Sequence, residues 1–261
     1  MAEAMIQGLL TTHLVEPGEV TATGPRQKRR EELEQKFGIR VTADNRQAAQ
    51  VGEIVVLSVK PQILGTVLAE LKGTLRPQQM VMSIVAGARI STMREALGHD
   101  AIVRVMPNTP AQIGEGMSVW TATAGVSEEH LAHVRAILRA LGKELFVEDE
   151  KLLDMATAVS GTGPTYVFLV MEAMVDAAVH LGFPRHVAYE LVTETMRGSV
   201  LYAMKSGKHP AELRNMVTSP GGTSAEALYQ LEKGSLRTVL SKAIWAAYER
   251  SQFLGGSIGK A

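Results

Sequence analysis

Residues 53–87 read EIVVLSVKPQILGTVLAELKGTLRPQQMVMSIVAG, and the apolar runs at either end of this stretch decide the fold. EIVVLSV and MVMSIVA are nearly unbroken in Val, Ile, Leu and Met, the composition of central strands buried on both faces of a parallel sheet. Outward from this pair, from Glu19 to about Glu148, short β-branched runs alternate with helical patterns. EVTAT, IRVT, AIVRVMPN and KELFVE read as strands and GMSVWTA as a further extended piece. That order is the signature of a mostly parallel α/β sheet covered by helices. The helices include QKRREELEQKFG, built around Leu33 and Phe37, and SEEHLAHVRAILRALG, opened by Ser127 and ended by Gly142.

After Glu150 the strand patterns stop. The remainder reads as helices: an apolar one from about Thr165 to Leu181, one opened by Pro184 and closed near Gly207, a short one from Pro210 to Val217, and two more reaching Leu254. With no internal repeat and no low-complexity linker, two domains are expected, residues 1–150 and 151–261. The 165–181 helix is apolar around most of its circumference, and a domain of about 110 residues can seldom enclose such a helix. Dimerisation is the expected remedy; a central place in a monomeric bundle is the alternative.

The 261 residues suffice for two ordinary domains, and 27 basic against 27 acidic side chains give no long-range field for nucleic acid or a membrane surface. Small molecules and further copies of the chain are the expected partners. The absence of cysteine removes disulfides, thiolate nucleophiles and Cys-type zinc clusters, and a cytoplasmic location is expected. MAEAMIQGLL has no positive leader and is too short to cross a bilayer, so neither signal peptide nor anchor is expected. Glu172 and Asp176 interrupt the apolar run from Tyr166 to Val179, which argues against a membrane span. Their i, i+4 spacing suits an exposed helix face better than an acid/base pair. His180, His186 and His209 lack ligand spacing, so no metal is expected.

A doubly wound dinucleotide domain opens with a strand, a Gly-rich turn and a helix whose N-terminus holds the pyrophosphate, whereas this sequence opens on the helix. That first strand is central in such sheets, so its omission would leave two neighbours with unpaired backbone groups. A start placed too late and a real loss both fit this pattern. At the end of the second strand, TATGPRQKRR offers Arg26, Lys28, Arg29 and Arg30 with no carboxylate before Glu31. A basic group there accommodates the extra phosphate of NADP; a basic run opening a solvated helix reads the same way. SVKPQ and MPNTP follow two strands, where ligands of open α/β sheets bind. Lys60 could face a ribose or phosphate and Asn108 a nicotinamide, or both loops could be turns stiffened by Pro61, Pro107 and Pro110.

Residues 216–228, MVTSPGGTSAEAL, place two glycines and several hydroxyls at the start of a helix. A helix start has unpaired N–H groups and favours negative charge. Glycines let a ligand approach the backbone, and Ser219, Thr223 and Ser224 add donors, which makes a carboxylate pocket. An ordinary N-cap on Thr223 or Ser224 is the plainer reading, although it needs one hydroxyl and no glycine pair.

SVKPQ, SIVAG, MPNTP, AVSGTGPTYVF and above all GKHPAELRNMVTSPGGTS resemble, in order along nearly the whole chain, the motifs of the pyrroline-5-carboxylate reductase family. The resemblance implies a Rossmann-like NADP(H)-binding domain with helices on both faces of its sheet, then an all-α dimerisation domain that intertwines with a second subunit, often in rings of dimers. It implies reduction of 1-pyrroline-5-carboxylate to proline, and the basic run from Arg26 to Arg30 makes NADPH the expected cofactor over NADH. By the same resemblance Asn45, Ser58, Val59, Lys60, Pro61, Ala86 and Gly87 fall on cofactor-contacting positions, joined by Arg26 and Asn108. Ser219, Gly221, Gly222, Thr223 and Ser224 fall on the loop that holds the substrate, with Ser224 expected to place the catalytic hydroxyl near the ring nitrogen. Two departures stand out. MAEAMI is similar to the continuation of the family's G-x-G-x-[ML]-[AG] motif from its methionine, so the glycine cradle is missing. The family also usually has threonine where Ser224 stands, a change that keeps the hydroxyl. A hydroxy-acid reductase would want a lysine in GTGPTYVFLVMEAM, which has none; a catalytically silent, dimerising homologue is the other alternative.

Overall fold

The chain's computed structural model describes residues 1–257. It opens with α1 (Ala2–Thr11), β1 (Thr21–Thr23), α2 (Gln27–Phe37), β2 (Arg40–Thr42), α3 (Asn45–Val51), β3 (Ile54–Leu57), α4 (Pro61–Leu71), β4 (Met80–Ser83) and α5 (Ile90–Leu97). It continues through β5 (Ile102–Met106), β6 (Gly116–Ala122), α6 (Glu128–Arg139), β7 (Gly142–Phe146) and α7 (Lys151–Ala156), followed by a π-turn at Thr157–Gly161. The remaining helices are α8 (Gly163–His180), α9 (Arg185–Ser206), α10 (Pro210–Met216), α11 (Thr223–Lys233) and α12 (Leu236–Ser257). Residues Met1–Pro164, with those from Ala246 to Ser257, form one compact unit, and Thr165–Trp245 another.

In the first unit β3, β4 and β5 are parallel, with Val55 beside Val81 and Val81 beside Ile102. All of β4 is buried, as its unbroken apolar sequence requires. GMSVWTA is a full strand, β6, antiparallel to β5 with Val105 opposite Trp120. The link over residues 107–115 is too short for a parallel crossover, and its 3-10 turn at Thr109–Ile113 with Gly114 at φ +76° reverses the chain instead. β7 then pairs parallel to β6. Gly142 does not end α6, which stops at Arg139. It opens β7 at φ +134°, where a Cβ would collide with the Gly116 carbonyl oxygen. Neither α7 nor the π-turn was foreseen as a separate element.

The sheet is split. β1 and β2 form a parallel pair of their own, apart from the five strands β3 to β7. Between them lies a cleft of about 890 Å³, walled by Thr21–Thr23 and Ile54–Val59 and floored by Met5, Ile6 and Leu9 of α1. α1 joins the two parts through consecutive residues: Met5 packs into the core of Met80, Trp120 and Leu138, while Ile6 packs with Phe37 and Ile39. Glu3 accepts from Lys36 (2.8 Å) and from Arg29, and these bonds, Lys36 first, hold its carboxyl below the usual range.

Buried side chains of this unit donate to carboxylates. Arg104 on β5 is 3% exposed and donates to Glu150 Oε1 and Asp154 Oδ1, each at 2.8 Å. The Ser251 hydroxyl of α12 donates to the same Asp154 oxygen at 3.1 Å. Trp120, completely buried, donates its indole N–H to Glu144 at 2.8 Å and meets Phe146 edge-on at 4.8 Å between ring centroids.

In the helical unit only Val175, Ala188 and Val192 are buried among the described residues. Phe168 and Leu169 on α8, Tyr189 on α9 and Trp245 on α12 are more than half exposed. The apolar circumference of α8 is therefore not enclosed by its own unit.

The Glu144 carboxyl lies below the usual range, chiefly through the Trp120 hydrogen bond and then through Arg139 and Arg135. A depressed carboxylate stabilises the fold above its unfolded pKa of about 4.3, and that contribution disappears as pH falls through the lower folded value. Glu144→Ala, which also orphans a buried indole N–H, is expected to cost about 1–3 kcal/mol in urea unfolding at neutral pH. The gap from the parent chain should narrow on acidification.

Candidate active site

Two groups of residues stand out, one in each unit. In the first unit the parallel strands β3, β4 and β5 end on the same edge of the sheet, which brings their loops together. Ser58 and Val59 follow β3, and Lys60, exposed, is the N-cap of α4 with Pro61 at its first position. Proline is tolerated there because the missing N–H has no intrahelical partner to lose. Ala86 and Gly87 follow β4, and Gly87 is buried at φ +76°. Asn108 follows β5 and caps the 3-10 turn. Its Oδ1 accepts from the Met117 amide at 2.9 Å, and its Nδ2 faces the Ser160 carbonyl at 3.3 Å. The same Nδ2 lies 3.4 Å from the Ser160 hydroxyl, so Asn108 is a local brace. Ser160 belongs to the AVSGTGP stretch, which carried no chemical reading of its own.

Arg26 and Asn45 lie at the ends of β1 and β2. Asn45 opens α3, accepts from Thr23 Oγ1 at 2.7 Å and donates to Glu70 at 2.6 Å, tying β1 to α4. The four basic residues after β1 divide into two kinds. Arg29 is engaged with Glu3 and Glu32, and Arg30 donates to the Gly24 carbonyl at 2.6 Å, closing the turn after β1. Arg26, the N-cap of α2, and Lys28 are exposed and make no ion pair among the described residues. Two cations are therefore available to a bound anion beside β1, and two are committed to the fold.

The second group is the start of α11. Gly222 is its N-cap, and no side chain caps it. A turn closed by the Gly222 amide on the Ser219 carbonyl, 3.0 Å, leads in, with Gly221 at φ +67°. A Cβ on Gly222 would lie 2.5 Å from Ser219 Oγ, so the glycine lets that hydroxyl sit against the backbone. Ala225 and Glu226 donate back to the Gly222 carbonyl, which leaves the Thr223 and Ser224 amides as the unpaired donors of the helix start. The plainer N-cap reading is not what forms: Thr223 and Ser224 are the first helical residues, not caps. Elsewhere in this unit Asp176 pairs with Arg185 at 3.0 Å, an exposed ion pair. No cluster of three metal-ligating side chains occurs among the described residues, and no helix among them is long and apolar enough to cross a membrane.

Residues 150–254 match the family model described as pyrroline-5-carboxylate reductase dimerisation, and residues 1–87 match one described as NADP oxidoreductase coenzyme F420-dependent. The chain is 40% identical to the pyrroline-5-carboxylate reductase of Synechocystis over 98% of its own length and 95% of the relative's. It is 37% identical to that of Arabidopsis thaliana, over 98% and 93%. Among solved structures, the Plasmodium falciparum pyrroline carboxylate reductase with NADP bound superposes with a TM-score of 0.90 at 33% identity, covering 97% of this chain and 94% of that one.

The division of the basic residues predicts that Arg30→Ala, which strips the Gly24 carbonyl of its partner, costs about 1 kcal/mol. Arg26→Ala and Lys28→Ala should each stay within about 0.5 kcal/mol of the parent chain. Thermal melting of the three variants checks this.

Proposed function

The chain belongs to the pyrroline-5-carboxylate reductase family, and from that membership we propose which of its residues carry out the reduction of 1-pyrroline-5-carboxylate. The enzyme is an oxidoreductase: hydride is added to the C=N carbon and a proton ends on the ring nitrogen, which converts the imine to proline. The observation that carries the assignment is the uncapped start of α11. There the amides of Thr223 and Ser224 lack partners, Ser219 Oγ sits against Gly222, and Thr223 and Ser224 bring two more hydroxyls in sequence. Unpaired N–H groups at a helix start are fit to hold a carboxylate. Gly221 and Gly222 keep the approach to them open. With the acid group anchored, Ser224 is the residue that places a hydroxyl on the ring nitrogen and holds the imine in one orientation.

Apart from the glycine cradle, the residues of the first unit fit a nicotinamide dinucleotide by their chemistry. Arg26 and Lys28 are uncommitted cations at the end of β1, and Lys60 is exposed beyond β3. Gly87 at φ +76° turns the backbone at the sheet edge. Arg26 and Lys28 would take the 2′-phosphate, Lys60 and the Ser58–Pro61 backbone the ribose and phosphates, and Ala86, Gly87 and Asn108 the nicotinamide end. NADPH, when bound, supplies the hydride. The phosphate-binding cations favour NADPH over NADH.

The dimerisation-domain match and the exposed apolar residues of α8 support a homodimer, and the family resemblance a ring of such dimers. The absence of cysteine supports work in the cytoplasm.

Following the loss of reduced-nicotinamide absorbance with 1-pyrroline-5-carboxylate tests the assignment. Ser224→Ala is expected to lower kcat/KM by about 10- to 100-fold, the worth of one hydrogen bond to a charged group, and Ser224→Thr to retain activity. Unchanged kcat/KM in Ser224→Ala would remove the serine from the site. With Arg26 and Lys28 both changed to Ala, the KM for NADPH should rise at least tenfold and that for NADH stay within twofold. Equal effects on the two cofactors would overturn the phosphate-binding assignment.

A further inference from the structure

The Ala86–Gly87 loop is gripped from a distance by the far end of the chain. A Cβ on Gly87 would lie 2.9 Å from the Gly255 nitrogen and 3.1 Å from Leu254 Cβ. A Cβ on Gly255 would lie 2.8 Å from the Gly87 carbonyl oxygen and 3.3 Å from Arg89 Nε. The two backbones therefore touch, and no other residue type fits at either position without displacing the opposite strand of chain. Gly255 is buried, whereas Gly256 beside it is exposed and a Cβ there would meet nothing within 4 Å.

One turn back along α12, Ser251 is 3% exposed and donates to Asp154. Asp154 binds Arg104, Arg104 binds Glu150, and Glu150 Oε1 accepts the Ile90 amide at 2.9 Å. Ile90 is three residues beyond Gly87. The contacts thus form a closed ring: Gly255 on Gly87, along the chain to Ile90, through Glu150, Arg104 and Asp154 to Ser251, and up one helical turn to Gly255. The loop after β4 is held at both ends, by backbone contact at Gly87 and by a carboxylate at Ile90.

We propose that Ser251 and Gly255 are positioning residues for cofactor binding: the last turns of α12 set the Ala86–Gly87 backbone in the conformation that receives the nicotinamide cofactor. The proposal rests on the assignment of Ala86 and Gly87 to that site. It makes cofactor affinity depend on residues that touch no cofactor, through a loop whose geometry two glycines define.

Gly255→Val should raise the Kd for NADPH, measured by fluorescence titration of the full chain, by tenfold or more, and leave the KM for 1-pyrroline-5-carboxylate within twofold. Gly256→Val should match the parent chain in both. Ser251→Ala should shift the NADPH Kd in the same direction by a smaller factor. A general packing defect would instead lower the melting temperature without this split between the two ligands. Gly87→Ala separates the two levels: unchanged NADPH affinity in that variant would overturn the loop's assignment to the cofactor site. Weakened affinity there, together with a Gly255→Val variant that behaves like Gly256→Val, would overturn the role of α12 alone. Should Gly255→Val fail to fold, hydrogen exchange on the parent chain decides. NADPH is expected to slow exchange of the amides of residues 251–255, as reciprocal linkage requires, and no slowing would overturn the proposal.

Discussion

Arg104 carries a permanent charge into the interior, on a strand flanked by β4 and β6, and the surrounding elements are arranged to neutralise it. Moving a guanidinium out of water costs several kcal/mol unless its donors are matched. Here Glu150 and Asp154 match them, one from the residue that leads into α7 and one from within that helix. The same two carboxylates then organise their own neighbours, since Glu150 takes the first amide of α5 and Asp154 takes the hydroxyl of Ser251. Leaving such a charge with one partner removed typically costs about 3–5 kcal/mol. β5, α7, the start of α5 and the end of α12 are thereby required to meet at one point. The loop after β4 inherits its position from that requirement.

A second constraint governs the front of the chain. The five-stranded sheet and the β1–β2 pair share no strand, and α1 spans them with neighbouring side chains, Met5 on one core and Ile6 on the other. Gly8 permits this closeness, since a Cβ there would stand 2.8 Å from the Ala140 carbonyl oxygen. Glu3 adds a polar tie through Lys36 and Arg29. β1 and β3 both line the cleft, and α1 packs against the core on either side of it.

Much of this was legible in the sequence, for identifiable reasons. The buried strands announce themselves because both faces are apolar, and the helical half because strand patterns cease after Glu150. The start of α11 stood out because glycines and hydroxyls crowd where one cap would suffice. The direction of β6 was hidden because alternation is the same in parallel and antiparallel strands; only the short connection through Gly114 decides it. Gly142 misled because a glycine after a helical pattern usually closes it, whereas here it admits a close backbone approach. α7 and the π-turn have too few residues, most of them small, for a periodicity to show. Among Arg26, Lys28, Arg29 and Arg30, charge alone could not tell the committed from the free, since that depends on Glu3 and on the Gly24 carbonyl. Ser251 and Gly255 gave no signal: a lone serine and a glycine pair near a helix end look like fraying, and their partners are far away in the chain.

The two tryptophans of the chain sit in opposite surroundings. Trp120 is sealed in the sheet core with its N–H bonded to a carboxylate, while Trp245, the last residue of the helical unit, is 62% exposed. Their emission should differ in color and in access to a soluble quencher, so a single unlabelled sample carries two optical reporters. One senses the integrity of the sheet; the other senses whatever comes to lie against the helices.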